Sequence, residues 1–579
     1  MKKLIVYLKD YKRETVLAPL FKMLEASFEL LIPLVMAQII DVGIGKGEGD
    51  FIIKMCLLMT VLGLIGLVCS ITAQFYSARA AVGFSTDLKH ALFQHIQKLS
   101  FSDMDGIGTS TLITRLTNDV NQVQSGVNLV LRLFLRSPFI VVGAMVMAFT
   151  INVQSALVFV VTIPLLCVVV FGIMLVSMPL YKKVQSGLDK VLGMTRETLA
   201  GVRVVRAFCK EEEEVRQFQQ ENNALNRMQI FVGRIAALMN PVTYVVVNGA
   251  VIALIWIGAL QVEGGHITQG EVVALVNYMS QILVELIKLA NLIITVTKAF
   301  ACGNRIEAVL AVSPGMKEKE IRNDSANLSD EYRESNPEAV CFDKVCLTYH
   351  SAGAEALTDI SFRVKKGETV GIIGGTGAGK SSLVHLIPRF YDATKGSIRI
   401  NGVDVRDYSL QELRKKIGIV MQKAVLFQGS IRENLLWGRE EAEEQELWKA
   451  LEIAQAREFV EEKEKGLEAI VTQGGKNLSG GQRQRLTIAR ALVRQPEILI
   501  LDDSASALDY ATDARLRQAI RTMEGKPTVF IVSQRTASVM HADFIIVLDD
   551  GEVVGLGTHE ELMKTCKVYE EIHLSQLSK

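Results

Sequence analysis

Two stretches of this chain, Ala156 to Leu180 and Ile235 to Val262, contain no Asp, Glu, Lys or Arg. Each is long enough to cross a hydrocarbon core of about 30 Å as a helix, and inside lipid a helix satisfies its own backbone hydrogen bonds. Both are therefore read as membrane spans. Four further segments, approximately Leu17 to Ile44, Phe51 to Tyr76, Val127 to Ile151 and Val272 to Val296, are mostly apolar but carry some charge. With 579 residues and 49% hydrophobic content, the chain is too long for one domain and too apolar for an ordinary soluble enzyme. Its formal net charge is zero, so nothing points to nucleic acid.

Lysine and arginine orient the spans. The N-terminus and the long segments Arg79 to Arg115 and Lys182 to Arg234 are rich in them, whereas the turns near Gly45 to Gly49, Asn152 to Gln154 and Glu263 to Gly270 hold only Lys46. The positive-inside rule then places both ends of the chain in the cytosol, as expected of a multi-pass protein of the plasma membrane. The basic start, with Lys2, Lys3, Lys9, Lys12 and Arg13 around Leu4 to Leu8, lacks the long apolar core and cleavage site of a secretory signal. It reads as an amphipathic segment on the membrane surface. The two long basic segments are too polar for a bilayer. Leu112, Ile113, Leu116, Val120 and Val123 recur at helical spacing, as do the apolar residues from Leu188 to Phe208, so both segments are predicted to be helices outside it. Glu211 to Glu214 reads as a solvated face. The eight cysteines are scattered without a CxxC pair and read as apolar fillers.

Between Val312 and Glu338 the composition turns polar, and a new domain begins after it. The apolar run Thr369 to Ile373 leads into Gly374-Gly375-Thr376-Gly377-Ala378-Gly379-Lys380-Ser381, followed by Ser382-Leu383-Val384. Strand, glycine loop and helix in that order form a phosphate cradle. Glycines let successive backbone N–H groups converge on one anion at a helix N-terminus. Lys380 adds positive charge, and Ser381 adds a hydroxyl for Mg²⁺.

Further on, Asn477-Leu478-Ser479-Gly480-Gly481-Gln482 opens a helix that runs on through Arg485 to Arg494, a second plausible anion site. This run resembles the signature of ATP-binding cassette (ABC) proteins, in which the signature of one subunit closes over ATP held by the phosphate loop of another. The resemblance implies an all-α transmembrane domain of six spans (residues 1–311, with helical extensions into the cytosol), a linker (312–337) and an α/β P-loop cassette (338–579). It also places short coupling helices near Phe101 to Asp105 and near Arg206 to Glu212. Further matches follow in family order. Tyr349 stands where an aromatic stacks on adenine, Gln422 where a glutamine contacts Mg²⁺ and senses the membrane domain, and Asp502, ending the apolar run Ile498 to Leu501, where a carboxylate holds Mg²⁺. Ser506-Ala507-Leu508-Asp509 matches the loop that touches the other cassette.

Two positions depart from the family pattern. Asp503 stands where a glutamate usually positions the attacking water, and Gln534 where a histidine usually contacts the γ-phosphate. A carboxamide can donate a hydrogen bond but cannot become a cation near neutral pH. Losing a positioned base costs about 10²- to 10⁴-fold in rate. Both changes fall on one ATP while Leu478 to Gln482 is intact. The chain thus resembles the degenerate-site subunit of heterodimeric bacterial multidrug-type exporters, with ATP and Mg²⁺ as cofactors, a second half-transporter and the lipid bilayer as partners, and a small molecule, lipid or peptide as cargo. A homodimeric exporter with two slow sites, and a nucleotide-gated regulatory or channel subunit that pumps nothing, are the alternatives. Within the spans, Glu25 and Glu29 share a helix face, as do Glu285 and Lys288. If the two glutamates line the transport cavity, a cationic or amphipathic substrate is expected, whereas Glu285 and Lys288 can simply neutralise each other.

Overall fold

The computed structural model describes residues 2–316, 337–349, 352–504 and 507–577. Most of the linker expected over 312–337 and Ser506 of the Ser506 to Asp509 run lie outside the described residues. Two compact units result, one of residues 1–97 and 110–312, the other of residues 98–109 and 313–579. The segment 98–109 thus belongs with the second unit although its sequence neighbours belong to the first.

The helices of the first part of the chain are α1 (Lys12–Gln38), α2 (Gly49–Lys98), α3 (Phe101–Ile107), α4 (Thr109–Thr114), α5 (Val120–Leu133), α6 (Arg136–Ile151), α7 (Val153–Ala200), α8 (Val202–Ala207), α9 (Glu211–Ala237), α10 (Met239–Glu263) and α11 (Gln269–Leu310). Among the described residues they join into six helical stretches long and apolar enough to cross a membrane. The basic start is a 3-10 helix over Lys2–Tyr11 that buries Leu4 and exposes Ile5 and Val6. Two spans are less regular than their sequence suggests. The third is interrupted by a turn at Phe134 and Leu135, between α5 and α6, and the fifth at Leu238, between α9 and α10. The short helix placed near Arg206 to Glu212 is displaced: α8 ends at Ala207, Cys209 takes a left-handed φ of 52°, and α9 starts at Glu211.

Lipid tails provide no hydrophobic drive between apolar helices, so close packing holds the bundle together. Its core centres on α11, where Tyr278, Met279 and Ile282 are fully buried. A Cβ on Gly143 would meet Leu30 Cδ1 at 2.4 Å, and one on Gly126 would meet Ala299 Cβ at 2.3 Å, so glycine sets both helix approaches. Pro33 interrupts the hydrogen-bond ladder of α1, and the Tyr278 hydroxyl donates to the Leu30 carbonyl in that turn at 2.6 Å.

The charges inside the bundle are organised by Arg136, the first residue of α6. Its Nη1 donates to Glu285 Oε1 at 2.6 Å and its Nη2 to Glu29 Oε2 at 2.6 Å. Ser137 donates to Glu285 Oε2 at 2.7 Å and Lys288 to Glu285 Oε1 at 2.8 Å, while Lys22 pairs with Glu25. Glu285 and Lys288 do pair, as their spacing allows, but Arg136 and Ser137 share the same carboxylate. Glu29, but not Glu25, lines the cavity beside Glu285 and Lys288, and it is paired with Arg136.

The second unit contains β1 (Glu338–Leu347), β2 (Leu357–Lys365), β3 (Thr369–Gly374), β4 (Lys395–Ile400), β5 (Val403–Asp404), β6 (Ile417–Val420), β7 (Gly429–Ser430), β8 (Ile470–Val471), β9 (Ile498–Asp502), β10 (Thr528–Val532), β11 (Phe544–Asp549) and β12 (Glu552–Gly557). Its main sheet has the order β12-β11-β3-β10-β9-β6, parallel except for β12. A second sheet, β2-β1-β4-β5, is antiparallel. The main sheet is covered on both faces. Leu499 and Leu501 of β9, with Val529 and Ile531 of β10, enter one core, and Ile498, Ile500, Phe530 and Val532 enter the other. Successive side chains alternate between the faces, so a sheet covered on both reads as continuous apolar runs.

The short helix expected near Phe101 to Asp105 is α3, within this second unit. Ser100 and Asp103 form a capping box at its start, and Asp103 also accepts from Gly315 N at 2.9 Å. The Phe101 ring packs on Phe390 with centroids 4.6 Å apart, and the Tyr391 hydroxyl donates to Asp105 at 2.7 Å.

Candidate nucleotide site

Open parallel sheets gather ligand groups at the carboxyl ends of their strands. Here β3 ends in the glycine loop, β9 in Asp502, and β10 leads into Ser533 and Gln534, while Gln422 follows β6. The register that sets Val532 beside both Ile372 and Asp502 brings these ends together. Gly377 and Gly379 both take φ of 88°, in the left-handed region. A Cβ on Gly379 would lie 2.8 Å from Leu357 and 2.9 Å from the Ala356 carbonyl, so this turn needs glycine for space as well as for conformation. The loop opens onto the helix Lys380–Leu386.

Lys380 Nζ donates to the carbonyls of Gly374 at 2.9 Å and Gly375 at 2.5 Å. Burial draws its ammonium below the usual lysine range, against the pull of Asp503 and Asp502. The Ser381 hydroxyl donates to Asp502 Oδ1 at 3.0 Å, and Asp502 is 1% exposed. These are hard oxygen donors side by side, a set that suits Mg²⁺. Asp503 has φ of 46°, its N–H donates to the Val532 carbonyl at 3.0 Å, and its Oδ2 accepts from Gln422 Nε2 at 3.4 Å. Burial raises the Asp503 carboxyl above the ordinary aspartate range, opposed by Gln422 and by the cations Lys380 and Arg535 and reinforced by Asp502. The Tyr349 hydroxyl donates to Ser382 at 2.8 Å.

Tyr349, Thr376, Gly377, Gly379, Lys380, Ser381, Ser382, Gln422, Asp502, Asp503 and Gln534 all line one cleft of about 380 Å³. Gly374, Gly375 and Ala378 complete the loop around Lys380 without lining that cleft. Ser479, Gly480, Gly481 and Gln482 do not line it either. They form the start of the helix Gly480–Val493, where Ser479 Oγ accepts from Gln482 N at 3.2 Å and Ser479 N donates to Gln482 Oε1 at 3.0 Å. Ser479 and Gly480 are exposed. Within one chain, then, the signature does not close over the phosphate loop.

Three contacts of the site escape sequence reasoning. His385 Nε2 lies 3.5 Å from Asp502 Oδ2, and its ring stacks on Tyr391 at 6.5 Å. Tyr391 meets Tyr349 edge-on at 5.1 Å, so one aromatic group joins the cleft to α3. Gln576, in the C-terminal helix Lys567–Leu577, donates to the Gln534 carbonyl at 2.7 Å and accepts from Thr536 N at 2.9 Å. The Arg389-Phe390-Tyr391 run was a visible signal for the second of these. Nothing local marks Gln576.

Comparison with known proteins agrees with this geometry. Residues 15–286 match the ABC transporter transmembrane region model and residues 357–506 the ABC transporter model. An uncharacterized ABC transporter ATP-binding protein of Mycobacterium tuberculosis (strain CDC 1551 / Oshkosh) is 36% identical over 98% of this chain and 97% of its own. An ATP-dependent lipid A-core flippase of Desulfotalea psychrophila is 32% identical over 85% of this chain and 84% of its own. Among solved structures, a bacterial Atm1-family ABC exporter with ATP bound superposes with a TM-score of 0.77 at 23% identity, covering 98% of each chain, which establishes the shared fold. A six-span helical domain followed by an α/β cassette, matched over nearly its whole length by such relatives, makes this chain a member of the ABC transporter family, a multi-pass membrane protein of the exporter half-transporter type.

Proposed function

We propose that this chain is one half of a heterodimeric exporter of a small or amphipathic substrate, that its own ATP site hydrolyses weakly, and that its signature completes the active site of a different, fully equipped half. The observation that carries this reading is local. Asp503 and Gln534, the two departures from the family pattern, line the same cleft as Lys380 and Ser381, while Ser479 and Gly480 stand exposed outside it.

In this reading the backbone N–H groups of the glycine loop and Lys380 bind the phosphates of ATP, and Tyr349 lies against the adenine. Mg²⁺, held by Ser381, Asp502 and Gln422, would neutralise charge on the transferring phosphoryl group. Asp503 reaches about 1.5 Å less far than a glutamate would, by one C–C bond. Its backbone cannot advance to compensate, because its N–H is tied to the Val532 carbonyl. Gln534 can donate one hydrogen bond to the γ-phosphate but brings no positive charge. ATP is thus bound and oriented, with the attacking water poorly activated. Both chain termini lie in the cytosol and the spans in the plasma membrane. The flippase relative supports an amphipathic cargo. The test is ATPase activity in lipid vesicles, with this chain alone and with candidate partner halves. Turnover should be slow alone and rise at least tenfold with the correct partner, and fast turnover by the chain alone would refute the reading.

A further inference from the structure

Inside the membrane unit, α1, α2, α6 and α11 line an open cavity of about 440 Å³. Its polar wall includes Glu29, Asn277, Ser280, Gln281, Glu285 and Lys288, and Ile32 and Met59 stand on its apolar side. Glu285 lies about 24 Å along α11 from the start of that helix, at the usual rise per residue, so the cavity is deep in the span. Ionisable groups at such depth need partners or a polar cavity, and these have both.

The charges balance and differ in access. Three cations, Lys22, Arg136 and Lys288, face three carboxylates, Glu25, Glu29 and Glu285. Arg136 and Glu285, with side chains 8% and 3% exposed, form the closed middle of the network. Its two ends are open: the Glu29 side chain is 37% exposed and that of Lys288 is 41% exposed. Arg136 takes Glu29 through Oε2 and leaves Oε1, while Lys288 spends one of its three N–H donors on Glu285. Through the chain Lys288, Glu285, Arg136, Glu29, Lys288 Nζ and Glu29 Oε2 lie at most about 10 Å apart. Beside them Gln281 Oε1 is buried without a hydrogen-bond partner, an acceptor waiting for a donor.

We propose that this cavity recognises an amphiphile whose headgroup carries one positive and one negative charge and no net charge. A lone cation attracted to Glu29 would meet Lys288 in the same low-dielectric pocket, and a lone anion attracted to Lys288 would meet Glu29. Only a headgroup with both signs satisfies both ends, with a donor for Gln281 and a hydrocarbon part against Ile32 and Met59. This names the cargo class of the exporter proposed above and rests on that reading. The assay measures binding without ATP or a partner half, so failure of the heterodimer reading would not be mistaken for failure of this one.

Three dyes of one ring frame supply the probe: tetramethylrhodamine free acid (zwitterion), its methyl ester (cation) and fluorescein (anion). Binding is followed by fluorescence anisotropy with the purified full chain in a nonionic detergent. The free acid should bind at least tenfold more tightly than either relative. Lys288→Gln should erase the preference over the cationic ester, and Glu29→Gln the preference over the anionic dye. Each leaves the Arg136–Glu285 hydrogen bond in place but removes an ionic partner of one of its members, Lys288 from Glu285 or Glu29 from Arg136, so gel filtration checks that each variant stays monodisperse. Displacement of the free acid by added phosphatidylcholine would identify a lipid headgroup as the source of the chemistry, and its absence a water-soluble amphiphile; both outcomes uphold the charge preference. Equal or tighter binding of the cationic ester by the unsubstituted chain, or no saturable binding of the free acid, overturns the proposal whatever the variants do.

Discussion

Replacing Arg136 by Met tests whether the intramembrane charges act as one network. The substitution keeps most of the apolar stem and removes the guanidinium that bonds Glu285 at 2.6 Å and Glu29 at 2.6 Å. Glu285, 3% exposed at its side chain, would keep Ser137 and the half-exposed Lys288. Breaking a buried pair from one side costs about 3 to 5 kcal/mol, and the surviving Lys288 contact puts Arg136→Met near the lower end, about 3 kcal/mol. Glu285→Gln alone leaves Arg136 its contact with Glu29 and should cost about 2 kcal/mol. Removing both charges leaves no isolated buried ion, so the double variant should lose no more than about 1.5 kcal/mol. The singles therefore do not add, and the coupling is about 3 kcal/mol or more. The assay is unfolding of the membrane unit within the full chain by titrating a denaturing detergent into mixed micelles, read by far-UV circular dichroism for all four proteins. If the double variant loses the sum of the two single losses, the pair is not coupled and the network reading is wrong.

Three further outcomes are expected. In this chain alone, Asp503→Glu combined with Gln534→His should raise steady-state ATP hydrolysis about tenfold or more, since a positioned base contributes at least about 10²-fold in full; an unchanged rate would show that these residues do not limit the site. In the complex with the correct partner, Ser479→Ala should abolish most hydrolysis while Asp503→Asn has a much smaller effect, and equal losses by phosphate release would reverse the assignment of the two sites. Gln576→Ala removes the contacts to the Gln534 carbonyl and Thr536 N, so amide hydrogen exchange at residues 533–536 should quicken about fivefold to tenfold, the equivalent of about one hydrogen bond; unchanged protection would mean the loop holds itself.

Much of this protein is legible in its sequence because the relevant physics is local. An uncharged run such as Ala156 to Leu180 has one stable arrangement in lipid, and the loop from Gly374 to Ser381 carries its backbone freedom, its cation and its hydroxyl within a single turn. The alternating cores of β9 and β10 likewise follow from unbroken apolar runs. What tertiary structure alone decided lies between distant residues. Arg136 meets Glu285 across 149 positions, Ser381 meets Asp502 across 121, and Gln576 meets the Gln534 carbonyl across 42. Glu285 and Lys288 look self-sufficient at helical spacing, and only helix packing reveals the arginine that shares their charge. In the same way, only the family resemblance assigns Ser479 to the ATP of another subunit, and it is the fold that leaves Ser479 exposed outside the cleft that Lys380 lines. A side chain's neighbours along the chain are set by covalent spacing, but its partners across the fold depend on how helices and strands pack, and no local pattern encodes that choice.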